Sequence, residues 1–330
     1  MKIADFKPFI GLHCETTATG SLLQHLGFSY SEPMLFGLGQ GLSYIFWKMK
    51  AMDYPFIGGR VKPDELTENL CRHLGFELAV KETTSAKKAW KNLADPLAEG
   101  QPVGLKLDCY HLDYFTNKIH FAGHYVACYG YDAEQAFLVD TRPQGSESVT
   151  SLESLALARR EKGPMSSRNL SYTITAPSPP TPLKKALPAA IKANAEAYLS
   201  PPITNIAYKG ILKTSKQLLP WFRQSEDVTR DFTMTATIME RAGSGGSIFR
   251  NLYRDFLAET YALLGGKGLK EAHALFQQAA QAWKDVAELF DQAGKEADET
   301  PLYEAARLLV NISDTEKMAM EKLLRWAETT

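Results

Sequence analysis

An α+β amino-terminal domain followed by an all-helical one is the fold class that three observations predict. Four prolines crowd into Ala176–Pro182 (APSPPTP), which forbids a continuous helix and favours an extended connector. Before it, short strand-like runs (Val103–Leu107, Tyr125–Tyr129, Ala136–Val139) alternate with Gly-rich turns and helical segments. After it, long Ala/Leu/Glu/Lys/Gln-rich stretches carry apolar residues at i, i+3, i+4 and i+7. The expected division is 1–176, a linker over 177–182, and a helical domain over 183–330.

Composition narrows the function classes. With 330 residues, 45% of them apolar, the chain buries a sizeable core without disulfide or metal staples. Its 37 basic and 38 acidic residues leave a net charge of −1 and divide evenly across the proline run, so a nucleic-acid footprint is not expected. Four cysteines (Cys14, Cys71, Cys109, Cys128) include no CxxC pair, which argues against zinc ribbons and redox dithiols and for reduced thiols in the cytoplasm. No secretory h-region opens the chain, and the longest uncharged apolar stretch, Pro33–Trp47, is 15 residues and Gly-rich, so no membrane segment is expected.

Taken in order, residues 15–26 suit a helix ended by Gly27, which puts Cys14 at its amino end. There the free N–H groups and the macrodipole favour a negative charge by about 0.3–1 kcal/mol. A thiolate nucleophile needs a base, and the nearby histidines do not serve. His13 is adjacent and points elsewhere, and His25 lies about 16 Å along the same helix. The candidate is far along the chain, in a hairpin over 123–140 with Asp132–Gln135 as its turn, His124 opening one strand and Asp140 closing the next. Its register presents a test. With Tyr131 opposite Ala136, an unbroken ladder sets Ala127 opposite Asp140 and turns His124 to the other face, so bringing His124 to Asp140 requires a bulge or an odd-length turn.

In the second half, Ser247 is expected to cap a helix carrying Ile248, Leu252, Phe256 and Leu263 that ends at Gly265-Gly266. Leu269–Ala293 forms another, and Ser313-Asp-Thr-Glu316 reads as a capping box opening a last helix toward Trp326. Trp221, Trp283 and Trp326 read as packing residues, and Cys71 and Cys128 as core.

The order Cys14, His124, Asp140 resembles papain-like cysteine enzymes, in which a Cys opens the first helix and a distant His begins a strand. In those enzymes a Gly-Tyr pair follows the His by six and seven residues, and an Asn or Asp comes about sixteen residues after it. Gly130, Tyr131 and Asp140 stand at those offsets from His124. The resemblance implies a papain-like fold and a triad of Cys14 as nucleophile, His124 as base and Asp140 as the group that fixes the imidazole. It departs in one respect: Pro8 stands where such peptidases usually place an oxyanion-hole Gln, leaving the Cys14 backbone N–H as one donor.

A narrower resemblance rests on HCETTATGSLLQHLG, SEPMLFGLGQGLSYIFW and GHYVACYGYD with FLVD, which look like the amino-terminal domain of the butirosin-biosynthesis protein H family. GGSIFRNLYRDFLAE looks like the domain of unknown function that commonly follows it. This implies an acyltransferase of specialised metabolism that moves an acyl group from an acyl-carrier-protein thioester to a small amine. Glu15 and Glu32 are candidate contacts for a cationic acceptor, with helix-start capping as the other reading. Two alternatives stay open: a peptidase or amidase that resolves the same intermediate with water, and a non-catalytic binding module.

The remaining motifs imply no cofactor. Gly37–Gly41 lacks dinucleotide spacing and reads as a bending loop. Gly243–Ser247 reads as a flexible helix start or, less simply, a phosphate cradle. Cys109, His111 and His120 offer metal-ligand types without four-ligand spacing, so no metal is expected.

Overall fold

The computed structural model describes every residue except 51, 164–165 and 177–178. In chain order, helix α1 (Cys14–His25) and the short α2 (Glu32–Leu38) precede strands β1 (Leu42–Trp47) and β2 (Phe56–Arg60). Helix α3 (Glu65–Leu74), strand β3 (Glu77–Lys81), helix α4 (Ala86–Ala98) and strand β4 (Val103–Leu107) follow. A loop with a 3-10 turn at Cys109–His111 leads to β5 (His124–Tyr131), β6 (Gln135–Val139), β7 (Glu147–Ser151), α5 (Leu152–Arg160) and β8 (Ser171–Thr175). Helices α6 (Leu183–Leu199), α7 (Ala207–Gln224), α8 (Val228–Glu240), α9 (Arg250–Leu264), α10 (Lys267–Glu296) and α11 (Thr300–Glu328) close the chain.

Two compact units result: Met1–Leu35 with Pro63–Thr181, and Phe36–Lys62 with Pro182–Thr330. The later boundary falls within the expected proline linker, whose Pro177 and Ser178 lie outside the described residues. The earlier stretch departs from a contiguous division at 176, because Phe36–Lys62 packs with the helical unit. Nothing in its local composition marks this: its partners lie far along the chain.

The first unit is built on a six-stranded antiparallel sheet in the order β3-β8-β4-β5-β6-β7. Residues of β4 and β5 are buried along almost their whole length, so both faces are covered and the strands read as continuous apolar runs. One face carries Val103, Leu105, Leu107, Val126 and Cys128 against Leu93 and Leu97 of α4 and Leu155 and Ala158 of α5. On the alternate positions, Gly104 makes room for the Tyr172 ring, which a Cβ there would meet at 2.1 Å. Tyr172 in turn reaches Thr19 of α1 through its hydroxyl at 3.1 Å.

In the second unit the β1–β2 hairpin is held by side chains of α6, of α7 and of the turn between them. Asn194 Nδ2 donates to the Leu42 carbonyl and Asn205 Nδ2 to that of Phe46, each at 2.9 Å, while the Tyr44 hydroxyl meets Thr214 at 2.7 Å. At the centre, Arg250 and Glu316 form an ion pair with no solvent exposure on either side chain. Both guanidinium–carboxylate contacts, at 2.8 and 2.9 Å, are joined by donation from Trp283 Nε1 at 2.8 Å and from the Tyr198 hydroxyl. Arg250 Nη1 also donates to the carbonyls of Gly59 and Ile248.

That network corrects two sequence expectations. Ser313–Glu316 opens no helix: α11 runs unbroken from Thr300 to Glu328, with Glu316 spent on Arg250 and Ser313 Oγ donating to the Tyr208 carbonyl. Ser247 caps no helix either. It begins a left-handed turn in which Ser247, Ile248 and Phe249 all have positive φ (49°, 45° and 75°), and α9 starts only at Arg250. For a β-branched residue such as Ile248 this backbone is strained, and the buried packing of all three side chains holds it.

Removing one partner of the central pair should be severe. Glu316→Leu leaves a buried, unpaired guanidinium and is expected to lower stability by about 3–5 kcal/mol in chemical denaturation, whereas Arg250→Met with Glu316→Leu should recover most of that loss.

Candidate active site

The amino end of α1 is set by its own residues and by a carboxylate brought from α2. His13, in extended conformation, caps the helix: its side chain accepts from the Thr16 N–H and its carbonyl from the Thr17 N–H. Glu32 accepts from the backbone N–H groups of Leu12 and His13, both at 2.8 Å, and meets the Thr16 hydroxyl at 2.9 Å. This fixes the turn on which Cys14 stands, half-buried as the first helical residue. The other cysteines are buried differently. Burial pushes the Cys71 thiol up to about 12 and the Cys128 thiol to about 11, and raises that of Cys109, which keeps them protonated at neutral pH.

The hairpin that carries His124 contains the bulge its register demands. Tyr131 pairs with Ala136 and Gly130 with Phe137, but Cys128 pairs with Leu138 and Ala127 with Val139, so Tyr129 is the extra residue. Beyond it, Val126 rather than Ala127 lies level with Asp140, and His124 shares its face. The bulge sits where a further segment joins the strand. Lys2 bridges to Gly130, Ile3 N–H donates to the Tyr129 carbonyl and Tyr131 N–H to that of Met1. A Cβ on Gly130 would lie 2.6 Å from the Met1 carbonyl oxygen, which is why the residue six after His124 has no side chain.

His124 Nε2 and Asp140 Oδ2 are 2.8 Å apart, with the carboxylate fully buried and the imidazole 9% exposed. Asp140 is saturated with donors, since Oδ2 also accepts from the Tyr114 hydroxyl at 2.7 Å and Oδ1 from the Thr141 N–H at 2.6 Å. The Phe115 ring meets the imidazole edge-on at 5.3 Å. Just past Asp140, the Arg142 N–H donates to the Gly11 carbonyl at 2.9 Å and ties this loop to the approach to Cys14. Cys14 stands close enough to the imidazole to bear on its charge. Burial opposes a proton on His124, but Asp140 and then Cys14 outweigh it and hold the pKa well above 6.5. A thiol, an imidazole and a carboxylate therefore stand in series, an arrangement able to move the thiol proton onto the ring and hold it there.

The structure brings Cys14, His124 and Asp140 together and uses the two glutamates inside the protein. Glu15 is fully buried and accepts from the Thr67 backbone N–H and hydroxyl, both at 3.1 Å, so it has no surface to offer an acceptor amine. Glu32 is spent on the turn before Cys14, while its neighbour Ser31 caps α2 by accepting from the Met34 N–H. Pro8 contributes a carbonyl, which accepts from Gln24 Nε2 at 3.3 Å, and has no donor to offer an oxyanion. The Gly243–Ser247 loop presents no open phosphate cradle, because the Ser247 N–H donates to Glu240 and the Gly246 N–H to Ser244 Oγ. Sequence reasoning missed Tyr114 and Phe115, which lie in an irregular loop where no spacing rule applies.

Residues 13–141 match the family described as Butirosin biosynthesis protein H, N-terminal, a stretch that begins beside Cys14 and ends just after Asp140. Residues 153–323 match the family described as Domain of unknown function (DUF4872). No curated protein matches the chain. No helix among the described residues is long and apolar enough to cross a membrane.

The raised His124 value has a definite sign. The stability this contact supplies is complete below about pH 6.5, the unfolded value, and is lost as pH rises through the higher folded value. Asp140→Asn should lower the imidazole midpoint followed by NMR. It should also make the protein less stable than wild type at pH 6, with a gap that narrows as the pH rises.

Proposed function

Starting from the chain's membership of the family in which a butirosin-biosynthesis protein H amino-terminal domain precedes DUF4872, we propose that it is a cysteine-dependent acyltransferase of specialised metabolism with a papain-like catalytic domain. The observation that carries this reading is the buried His124–Asp140 contact, with Cys14 at a helix start and near enough to favour a proton on the same ring. With Nε2 facing Asp140, Nδ1 is the nitrogen available to the sulfur.

The reaction proceeds in two halves. Cys14 Sγ gives its proton to His124 and attacks the carbonyl carbon of an acyl thioester, such as one borne by an acyl carrier protein. The tetrahedral adduct collapses, the donor sulfur leaves with the proton held on His124, and the acyl group stays on Cys14. Exchange of one thioester for another is nearly isoenergetic, so the acyl-enzyme forms reversibly and waits for its acceptor. A small amine then attacks, His124 takes a proton from its nitrogen, and the C–S bond breaks to give the amide while the proton returns to Cys14. Asp140 keeps the ring in one orientation and stabilises its charged form, while Tyr114 and the Thr141 N–H hold Asp140. The Cys14 backbone N–H is a donor for the oxyanion. The chemistry runs on thiols kept reduced in the cytoplasm.

Incubation with a panel of acyl-carrier-protein and N-acetylcysteamine thioesters, followed by intact-mass measurement, should show one acyl group on the wild-type protein and none on Cys14→Ala. His124→Ala should slow acylation by about 10²–10⁴-fold. Added amines should discharge the adduct faster than water does. Discharge at the same rate without amine makes the protein a hydrolase, and no adduct from any donor, with Cys14 inert to iodoacetamide at neutral pH, rejects the proposal.

A further inference from the structure

The loop between β4 and β5 carries a second cluster of chemically active side chains. His111, from the 3-10 turn, His120, from the end of the loop, and Glu161, just past α5, each present one ligand atom, and these atoms all lie within 4.8 Å of one another. His111 Nε2 is 2.6 Å from Glu161 Oε2. His120 is oriented by its own carboxylate: its Nδ1 meets Asp108 Oδ2 at 3.1 Å, leaving Nε2 for a ligand. Asp108 is buried and fixed in turn, since its Oδ1 accepts from the N–H groups of Tyr110 and Phe121 at 2.9 and 3.1 Å. The Tyr110 ring stacks on His120 at 3.9 Å and stands edge-on to His111 at 5.2 Å, which positions both imidazoles. Cys109 takes no part, its thiol donating to the Ile119 carbonyl.

We infer that His111, His120 and Glu161 bind one divalent transition metal ion of the zinc class. Two imidazoles and a carboxylate are the borderline donor set this class selects, and a histidine backed by a buried carboxylate is its recurring outer shell. A tetrahedral ion with bonds of about 2.0–2.1 Å needs its ligand atoms about 3.3 Å apart, so His111 and Glu161 open slightly and His120 draws in. The fourth position belongs to water, on the side where His120 is exposed. A simple His111–Glu161 ion pair accounts for neither the third donor nor the carboxylate that aims it. The ion ties both ends of the loop that carries Tyr114, the donor to Asp140, to the end of α5.

The test uses the full chain as Cys14→Ala, which removes the thiol as a rival ligand, after treatment with a chelator. Zn²⁺ titrated against a chromophoric chelator should bind at one equivalent, and Co²⁺ should give the visible absorption of a tetrahedral site. His120→Ala, at an exposed position that leaves the fold intact by circular dichroism, should weaken Zn²⁺ binding at least about 100-fold, and Asp108→Asn by about 10–100-fold. No stoichiometric Zn²⁺ and no tetrahedral Co²⁺ spectrum would overturn the inference, and so would an affinity unchanged in His120→Ala.

Discussion

One extra residue in β5 decides which side of the sheet His124 faces. Side chains alternate along a strand, so Tyr129, unpaired between Cys128 and Gly130, shifts every residue before it by one position against β6. Without that shift the imidazole and Asp140 lie on opposite faces. The bulge is itself held from the other edge, where the backbone of Met1–Ile3 pairs along residues 129–131 and Gly130 allows the close approach. Tyr129 adds to this by stacking on Phe6 at 4.7 Å and donating to Glu147.

Buried and part-buried carboxylates organise both units by the same rule. Asp140 accepts from Tyr114 and Thr141 in addition to His124; Glu32 gathers the turn before Cys14; Glu316 collects Arg250, Trp283 and Tyr198. An anion taken out of water is tolerable only when donors replace that water, and each of these joins stretches of chain that lie apart in sequence. The carboxylates therefore fix where loops and helices meet more than they add net stability. At the proposed catalytic centre this lets a proton rest on His124 without solvent to support it.

Much of the first unit was legible because its signals are local. Short β-type runs placed β4, β5 and β6, a helix closing at Gly27 placed Cys14, and the spacing from His124 to Asp140 marked the hairpin together with its need for a bulge. What escaped depends on partners distant in sequence. The Ser313–Glu316 pattern satisfies a capping box letter by letter, yet Glu316 is claimed by Arg250, 66 residues earlier, and the helix runs through. The roles of Glu15 and Glu32 were ambiguous for the same reason, since a carboxylate near a helix start is equally suited to a backbone or to a ligand. His111 and His120 stood out as ligand types, but Glu161 could not be read into their group because it sits 50 residues from His111.

The hairpin of the helical unit raises a question of timing. Leu42 waits for Asn194, 152 residues later, and Gly59 for Arg250, 191 residues later. During synthesis, β1 and β2 leave the ribosome with Tyr44 and Phe46 bare, after Met1–Leu35 of the first unit but before its Pro63–Thr181. The first sheet can close before translation ends, whereas the hairpin remains an unpaired edge until the helices arrive. The segment that looks most like an ordinary part of the amino-terminal domain is thus the one whose burial depends on the far end of the chain, and truncation there would expose it.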